Sequence, residues 1–536
     1  MQVSQESTGD VGSVEAGDAV SSQPVNEGEL ARSAGRGGLA IAFAKIYFML
    51  VGLVQQIVLP RVLGLGGYGA LSSALSASSI VSNPVTTTSI QGVSRAVAHA
   101  TPSTQAGTIR RVFGLHALFG IGLGSAFFGL APWIGRAFGM SHVVPALRIL
   151  SAILLLYSLY TPLVGVLNGQ RRFSYQAGFD MLATTLRTVG LVVGALLFEH
   201  GGGSGIDGAS AGFVGGALIV FALAASVVGI GRRGPSALSV KAHLIFIGPI
   251  LIGQGLLNLL LQADSLLLRR FAADAAIASG LGPAAADTLV GAYRAIQLFS
   301  FLPYQLLIAV TFILFPMLAK AARDGDRVAV ARYVSTGVRL SCIFGAAIVS
   351  VSAGLSERLV ELVYGHEAAT LGGPCLELLA LGFLAFAILG VLTTVLNSLN
   401  REIDSAVVVG IAFLLVVVLC FLRVRGGTFG PGLLLATAQA TSTGLVLATL
   451  SAAFLVQRAA GAVVPLRVVL RVLFALSVAV AVGRYLPHAS KLVTPVYAGV
   501  VVVVYALVLV VTRELDRADL ETARAVLGKR RARRAA

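Results

Sequence analysis

From Ser405 to Leu422 the chain reads SAVVVGIAFLLVVVLCFL, without one charged side chain, and it is bracketed by Asp404 and Arg423. At about 1.5 Å of rise per residue this stretch reaches roughly 27 Å, close to the ~30 Å hydrocarbon core of a bilayer. A charge near the centre of a spanning helix costs about 2.5 to 3.5 kcal/mol, so a chain that enters lipid repeatedly must keep charge out of long stretches. The whole chain obeys this constraint. Of its 536 residues 56% are hydrophobic and 12% charged, against about 25% charged in an average soluble domain.

Thirteen further segments read the same way. In the first half they run 39–59, 70–94, 112–134, 146–168, 177–198 and 210–230. In the second they run 244–263, 289–315, 334–355, 376–398, 430–455, 468–486 and 493–511, the quoted stretch being eleventh in order. The expected fold class is an all-α integral membrane protein of about fourteen transmembrane helices.

Residues 1–37 are rich in Ser, Gly and Glu and lack the basic start, short apolar run and cleavage site of a signal peptide, so they read as a disordered cytoplasmic tail. Cys342, Cys375 and Cys420 are far apart without C-x-x-C spacing, which suggests neither disulfides nor a metal site. A net charge of +16 would point to nucleic acid in a soluble protein. Here the basic residues fall in short loops and in the terminal cluster Lys529 to Arg534, where attraction to anionic lipids is enough and no nucleic-acid partner is expected. The sequence G-x-x-x-x-G-K-[ST] is absent, so neither direct ATP drive nor any cofactor is expected.

Placing the N-terminus in the cytoplasm puts Arg95, Arg110, Arg111, Arg171, Arg172, Arg232, Arg233, Lys241, Lys320, Arg323, Arg327 and Arg332 inside. The opposite loops hold fewer, among them Arg61, Arg136, Arg269, Arg270, Arg358 and Arg484. The positive-inside rule prefers this orientation, and an even span count returns the C-terminus to the cytoplasm.

Pro145-Ala146-Leu147 precedes Val166-Leu167-Asn168 by the same interval that separates Pro374-Cys375-Leu376 from Val395-Leu396-Asn397, and one offset of 229 relates both ends. The match pairs helices of like orientation, which implies two six-helix bundles related by an axis along the membrane normal. The expected division is a six-helix lobe over 38–231, a second over 232–455, two additional helices over 456–512 and a basic cytoplasmic tail over 513–536.

The run Gly52-Leu53-Val54 through Leu59-Pro60-Arg61-Val62-Leu63-Gly64, then Gly67-Tyr68-Gly69, resembles the opening of polysaccharide flippases. These belong to the multidrug/oligosaccharidyl-lipid/polysaccharide exporter superfamily, with O-antigen and lipid II flippases as relatives. The resemblance continues through Pro145-Ala146-Leu147-Arg148 and Leu167-Asn168-Gly169-Gln170. It implies two bundles around a cavity that opens alternately to each side of a bacterial cytoplasmic (inner) membrane. The implied cargo is an undecaprenyl-pyrophosphate-linked oligosaccharide, and the implied partners are membrane lipids and glycan polymerase machinery. Lipid II flippases carry an Arg-Asp pair where this chain has Gln55-Gln56, a departure that favours the polysaccharide branch.

Charge inside a span needs a cavity, a partner or a snorkelling route. Arg187 lies mid-span, with Asp180 two turns earlier on the same face. A guanidinium can bind two pyrophosphate oxygens and stays charged when partly dehydrated, so Arg187 is the first substrate-cavity candidate. An Arg–Asp pair that stabilises the bundle is the structural alternative. Lys45, Arg294 and Arg339 either add positive charge to the cavity or snorkel to an interface. Gln254, Asn258 and Gln262 recur every four residues as one polar stripe, which either faces sugar or forms interhelical hydrogen bonds. Gln55, Gln56 and Gln297 complete the cavity set. Asp180 is the candidate for ion coupling, and Arg148 and Glu377, again 229 apart, are the candidate outer gate.

A polysaccharide flippase is the leading function. A lipid II flippase and a multidrug exporter of the same superfamily are the alternatives, the exporter being disfavoured by the basic candidates. A membrane glycosyltransferase would need acidic catalytic residues on sizeable loops, and the segment near Glu357, Glu361 and Glu367 is short. The chain therefore does not read as an enzyme.

Overall fold

The computed structural model describes residues 27–487 and 491–515, and every regular element among them is helical. The first, α1 (Glu27–Ala98), begins within the segment expected to be a tail; residues 1–26 and the Lys529–Arg534 cluster lie outside the described residues. Its apolar part from Phe43 to Ala98 would measure about 84 Å if straight, nearly three bilayer cores. Gly64 breaks it, with φ 67° and ψ 172°, a combination essentially reserved for glycine. The two arms are the first two predicted spans.

The chain continues through α2 (Pro102–Ala137), α3 (Val144–Gly169), α4 (Phe173–His200), α5 (Gly205–Val228) and the long α6 (Val240–Ala278). Next come α7 (Ala286–Ser300), α8 (Leu302–Arg323), α9 (Arg327–Gly354), the short α10 (Ser356–Tyr364) and α11 (His366–Ser398). The last are α12 (Glu402–Arg423), α13 (Pro431–Ala460), α14 (Leu466–Tyr485) and α15 (Thr494–Val511).

Each of the fourteen predicted segments falls on a helix, while 12 helices among the described residues are singly long and apolar enough to cross a membrane. The difference has two causes. The first two spans share α1, and the eighth is divided between α7 and α8 where Pro303 cannot supply the N–H that would continue the helix. A second departure is α10, which occupies part of a segment expected to be a loop and buries Val360.

Packing follows from small residues. On α4 and α5 a Cβ at Gly190 would lie 2.2 Å from the Gly212 carbonyl oxygen, and one at Gly212 would lie 1.9 Å from that of Gly190. Gly194 and Gly208 meet in the same way. Absence of side chains at these four positions lets two backbones touch, the usual device where lipid offers no hydrophobic drive.

Buried apolar residues between Leu59 and Leu238 form three clusters, whereas those between Leu260 and Leu509 form one. The latter includes α14 and α15, so the last two helices pack on the second-half core. Tyr505 donates to the Ile343 carbonyl at 2.9 Å. Glu514, just past α15, is buried between Arg339 of α9 at 2.8 Å and Arg471 of α14 at 3.2 Å.

The 229 offset reappears in the backbone. Arg171 (φ 58°) and Asn400 (φ 57°), both non-glycine residues in the left-handed region, stand at that offset just beyond α3 and α11. The bonds Arg172 N–H to Leu167 O and Arg401 N–H to Leu396 O, which close the two turns, do so as well.

Candidate functional site

Helices α3 and α11 run from one end of the bundle, marked by Pro145 in the first turn of α3 and Pro374 within the first part of α11, to the other, marked by Asn168 and Asn397. A cavity of about 590 Å³ lies toward the Asn397 end, between the second arm of α1 and helices α6, α8, α11 and α12. Gln91, Gln254, Tyr304, Thr393, Thr394 and Asn397 give it amides and hydroxyls, Glu402 gives it an acid, and Pro249, Leu257 and Phe386 belong to its apolar wall. Such a lining can take up hydrogen-bonding groups of a ligand.

The Pro145 end is shut. There the second arm of α1 crosses α7 at backbone contact: a Cβ at Gly69 would lie 1.9 Å from the Asp287 carbonyl oxygen, and one at Gly291 would lie 2.1 Å from that of Leu65. Asp287 forms ion pairs with Arg269 of α6 at 2.9 Å and with His142, between α2 and α3, at 2.7 Å. Arg61 donates to the Val363 carbonyl at 3.2 Å beside them.

Between the two ends lies a polar network. Asp264 of α6, 2% exposed, accepts from the Tyr293 hydroxyl at 2.8 Å and from Gln297 Nε2 at 3.0 Å. Arg294 donates to Gln297 Oε1 at 2.7 Å, to Gln262 and, across to α1, to Ser76. Of the predicted cations, Arg294 is therefore half-buried in a network that joins first-half and second-half helices.

The other predicted residues are distributed widely. Arg187 stands over the Phe213 ring at 5.0 Å and forms no ion pair with Asp180, whose electrostatic neighbour is Lys45. Lys45 is exposed on the first arm of α1. Nearby Tyr47 hydrogen-bonds Thr185 at 2.8 Å and Gln55 accepts from Thr188 at 3.3 Å, which holds that arm against α4. Gln56 is half-buried on the same arm. Arg339 is tied to Glu514, away from the cavity lining. The stripe on α6 divides: Gln254 lines the cavity, Asn258 accepts from Asn83 of α1 at 2.9 Å, and Gln262 serves Arg294. In this conformation Arg148 lies over the Phe128 ring at 5.2 Å and Glu377 pairs with Arg484 of α14, so the expected Arg148–Glu377 contact is not formed.

Asp264, Arg269 and Asp287 escaped the sequence reading because each fell outside a predicted span, Asp287 two residues before the eighth. Charge after Ala263 ended the seventh span on paper, and Arg269 was placed in a loop, yet α6 continues to Ala278 and buries Arg269 completely. The available signal was pairing: two acids and two arginines in adjacent spans can neutralise one another where neither could stand alone.

A sequence pattern described as "Polysaccharide biosynthesis protein" matches residues 58–369, more than half of the chain. The chain belongs to this family. The matched region runs from Val58 in α1 to Ala369 in α11 and so contains the Arg294 network, Asp287 and His142. No curated protein matches this sequence. Among solved structures, the lipid II flippase MurJ in an inward closed conformation has a TM-score of 0.72 at 14% identity, covering 89% of this chain and 100% of that one. An inward-facing multidrug resistance MATE family transporter of the MOP superfamily has a TM-score of 0.62 at 14% identity, covering 77% and 95%. A MOP superfamily transporter from Pyrococcus furiosus has 0.57 at 12%, covering 79% and 95%. This member of the polysaccharide biosynthesis family is thus a multi-pass membrane protein with the fold of MOP superfamily transporters.

Proposed function

We propose that the protein flips an undecaprenyl-pyrophosphate-linked oligosaccharide across a bacterial cytoplasmic membrane by alternating access. One observation carries the reading: the bundle holds a cavity with amides and hydroxyls set in a largely apolar lining toward the Asn397 end, while the Pro145 end is shut by backbone contact. Basic loops assign the Asn397 end to the cytoplasm, so the conformation is one in which a glycan could enter from the side where it is made. Gln254, Thr393, Thr394 and Asn397 would accept the sugar, and Lys45 or Arg187 the diphosphate, while the lipid tail stays in the bilayer. Asp180 beside Lys45 is the candidate for coupling to an ion or to the membrane potential.

A lipid II cargo is the second reading, and the fold shared with MurJ over the whole of that chain favours it. The two separate in proteoliposomes loaded with either lipid-linked oligosaccharide or lipid II. Translocation of the oligosaccharide is expected, falling at least about tenfold in Gln254→Leu, which keeps the side-chain bulk and removes the amide. Movement of lipid II alone would transfer the assignment to that cargo, and movement of neither would defeat the flippase reading.

A further inference from the structure

Closure of the Pro145 end combines two contacts that meet on one residue. The crossing of α1 and α7 is reciprocal, because Leu65 and Gly69 on one helix face Asp287 and Gly291 on the other, each pair four residues apart, and glycine alone permits the approach. Onto this crossing is added the carboxylate of Asp287, 4% exposed, which binds Arg269 through Oδ1 and His142 through Oδ2. The two partners differ in a way that matters. Arg269 is completely buried on α6 and belongs with Asp287 to the second-half helices, whereas the His142 side chain is 35% exposed and belongs to the turn between α2 and α3.

We infer that Asp287 and His142 form a releasable latch that closes this end of the transport pathway, with Arg269 as the ion-pair partner that stays with the Asp287 carboxylate whether the latch is shut or open. The inference rests on the alternating-access reading. A buried carboxylate stripped of every partner is too costly to occur in a working cycle. Because Arg269 moves with Asp287, separation of the two halves takes from the Asp287 carboxylate only its contact to His142, and the freed imidazole already borders solvent. Opening therefore strands no charge. The glycines set the condition for closure, since only when α1 and α7 touch does the start of α7 bring Asp287 to His142.

The distance between the halves at this end tests the latch. Spin labels attached at His200→Cys and Ser279→Cys, both exposed there, report it by double electron–electron resonance in the full chain held in lipid nanodiscs without cargo. The native Cys342, Cys375 and Cys420 are buried. His142→Ala is expected to raise the population of long distances several-fold, and His142→Gln, which keeps an N–H donor, to return most of it to the short distance. Gly69→Ala, whose new methyl collides with the Asp287 backbone, should lengthen the distance too. If Gly69→Ala opens the end and His142→Ala does not, the backbone crossing alone closes it and the latch is overturned; it is equally overturned if neither variant moves the distribution. Asp287→Ala is the less useful variant because it leaves Arg269 buried without a partner. Since no cargo is present, a failure of the substrate assignment leaves this measurement intact.

Discussion

Asp264 shows how this bundle tolerates a charge that hydropathy alone would expel. Its carboxylate is satisfied by Tyr293, Gln297 and the Ser265 amide, the last at 2.7 Å, and Arg294 sits in the same network. Removing the tyrosine hydroxyl takes away one donor but leaves the others. Tyr293→Phe should therefore lower stability by about 1 kcal/mol, between the ~0.6 kcal/mol average for interhelical hydrogen bonds in membranes and the full cost of an orphaned buried acceptor. Thermal unfolding in detergent measures it. In the Asp264→Leu background the same substitution should be nearly neutral, and equal losses in both backgrounds would show that the hydroxyl acts elsewhere. Residue types alone revealed part of this network: Arg294, Gln297 and Gln262 were all legible as polar positions in apolar spans. Asp264 was not, because a lone acid after an apolar run looks like the end of a span until its partners on α7 are known.

At the scale of the element, α4 and α5 depend on glycine at particular positions rather than on glycine content. Gly212 faces the Gly190 backbone, whereas a Cβ at Gly215, less than one turn away, would meet nothing within 4 Å. Gly212→Ala should destabilise the protein by about 1–3 kcal/mol, the range for forcing extra atoms into a packed contact. Gly215→Ala should be neutral or slightly stabilising, because alanine is the better helix former by up to about 1 kcal/mol. Thermal unfolding of the two variants side by side decides it, and a Gly215→Ala loss as large as that of Gly212→Ala would refute the packing argument. Both residues look alike in the sequence; only the direction in which the neighbouring helix lies tells them apart.

The molecule as a whole makes an orientation testable. Ser279 is exposed beyond α6 at the Pro145 end and Arg233 is exposed in the loop before α6 at the other, while the three native cysteines are buried. A membrane-impermeant maleimide applied to intact cells should label Ser279→Cys and leave Arg233→Cys unlabelled until the cells are permeabilised. The reverse pattern would invert the transport direction inferred from the basic loops. It would also move the cavity mouth to the outer face.

Charge exclusion over long stretches was enough to announce a multi-helix membrane protein, because lipid penalises every unpaired charge and every unsatisfied backbone group wherever they occur along the chain. The offset of 229 likewise needed nothing but the order of residues, and the paired left-handed turns at Arg171 and Asn400 agree with it. Which polar side chains share a site was decided only by packing. Arg339 and Arg294 are equally plausible cations on paper, yet one is held by Glu514 beyond α15 and the other reaches Ser76 across the bundle. Periodicity fixes a side chain's direction around its own helix but not which helix stands opposite, and Asp287, Arg269 and His142 acquire their meaning only when α6, α7 and the turn before α3 meet at the closed end.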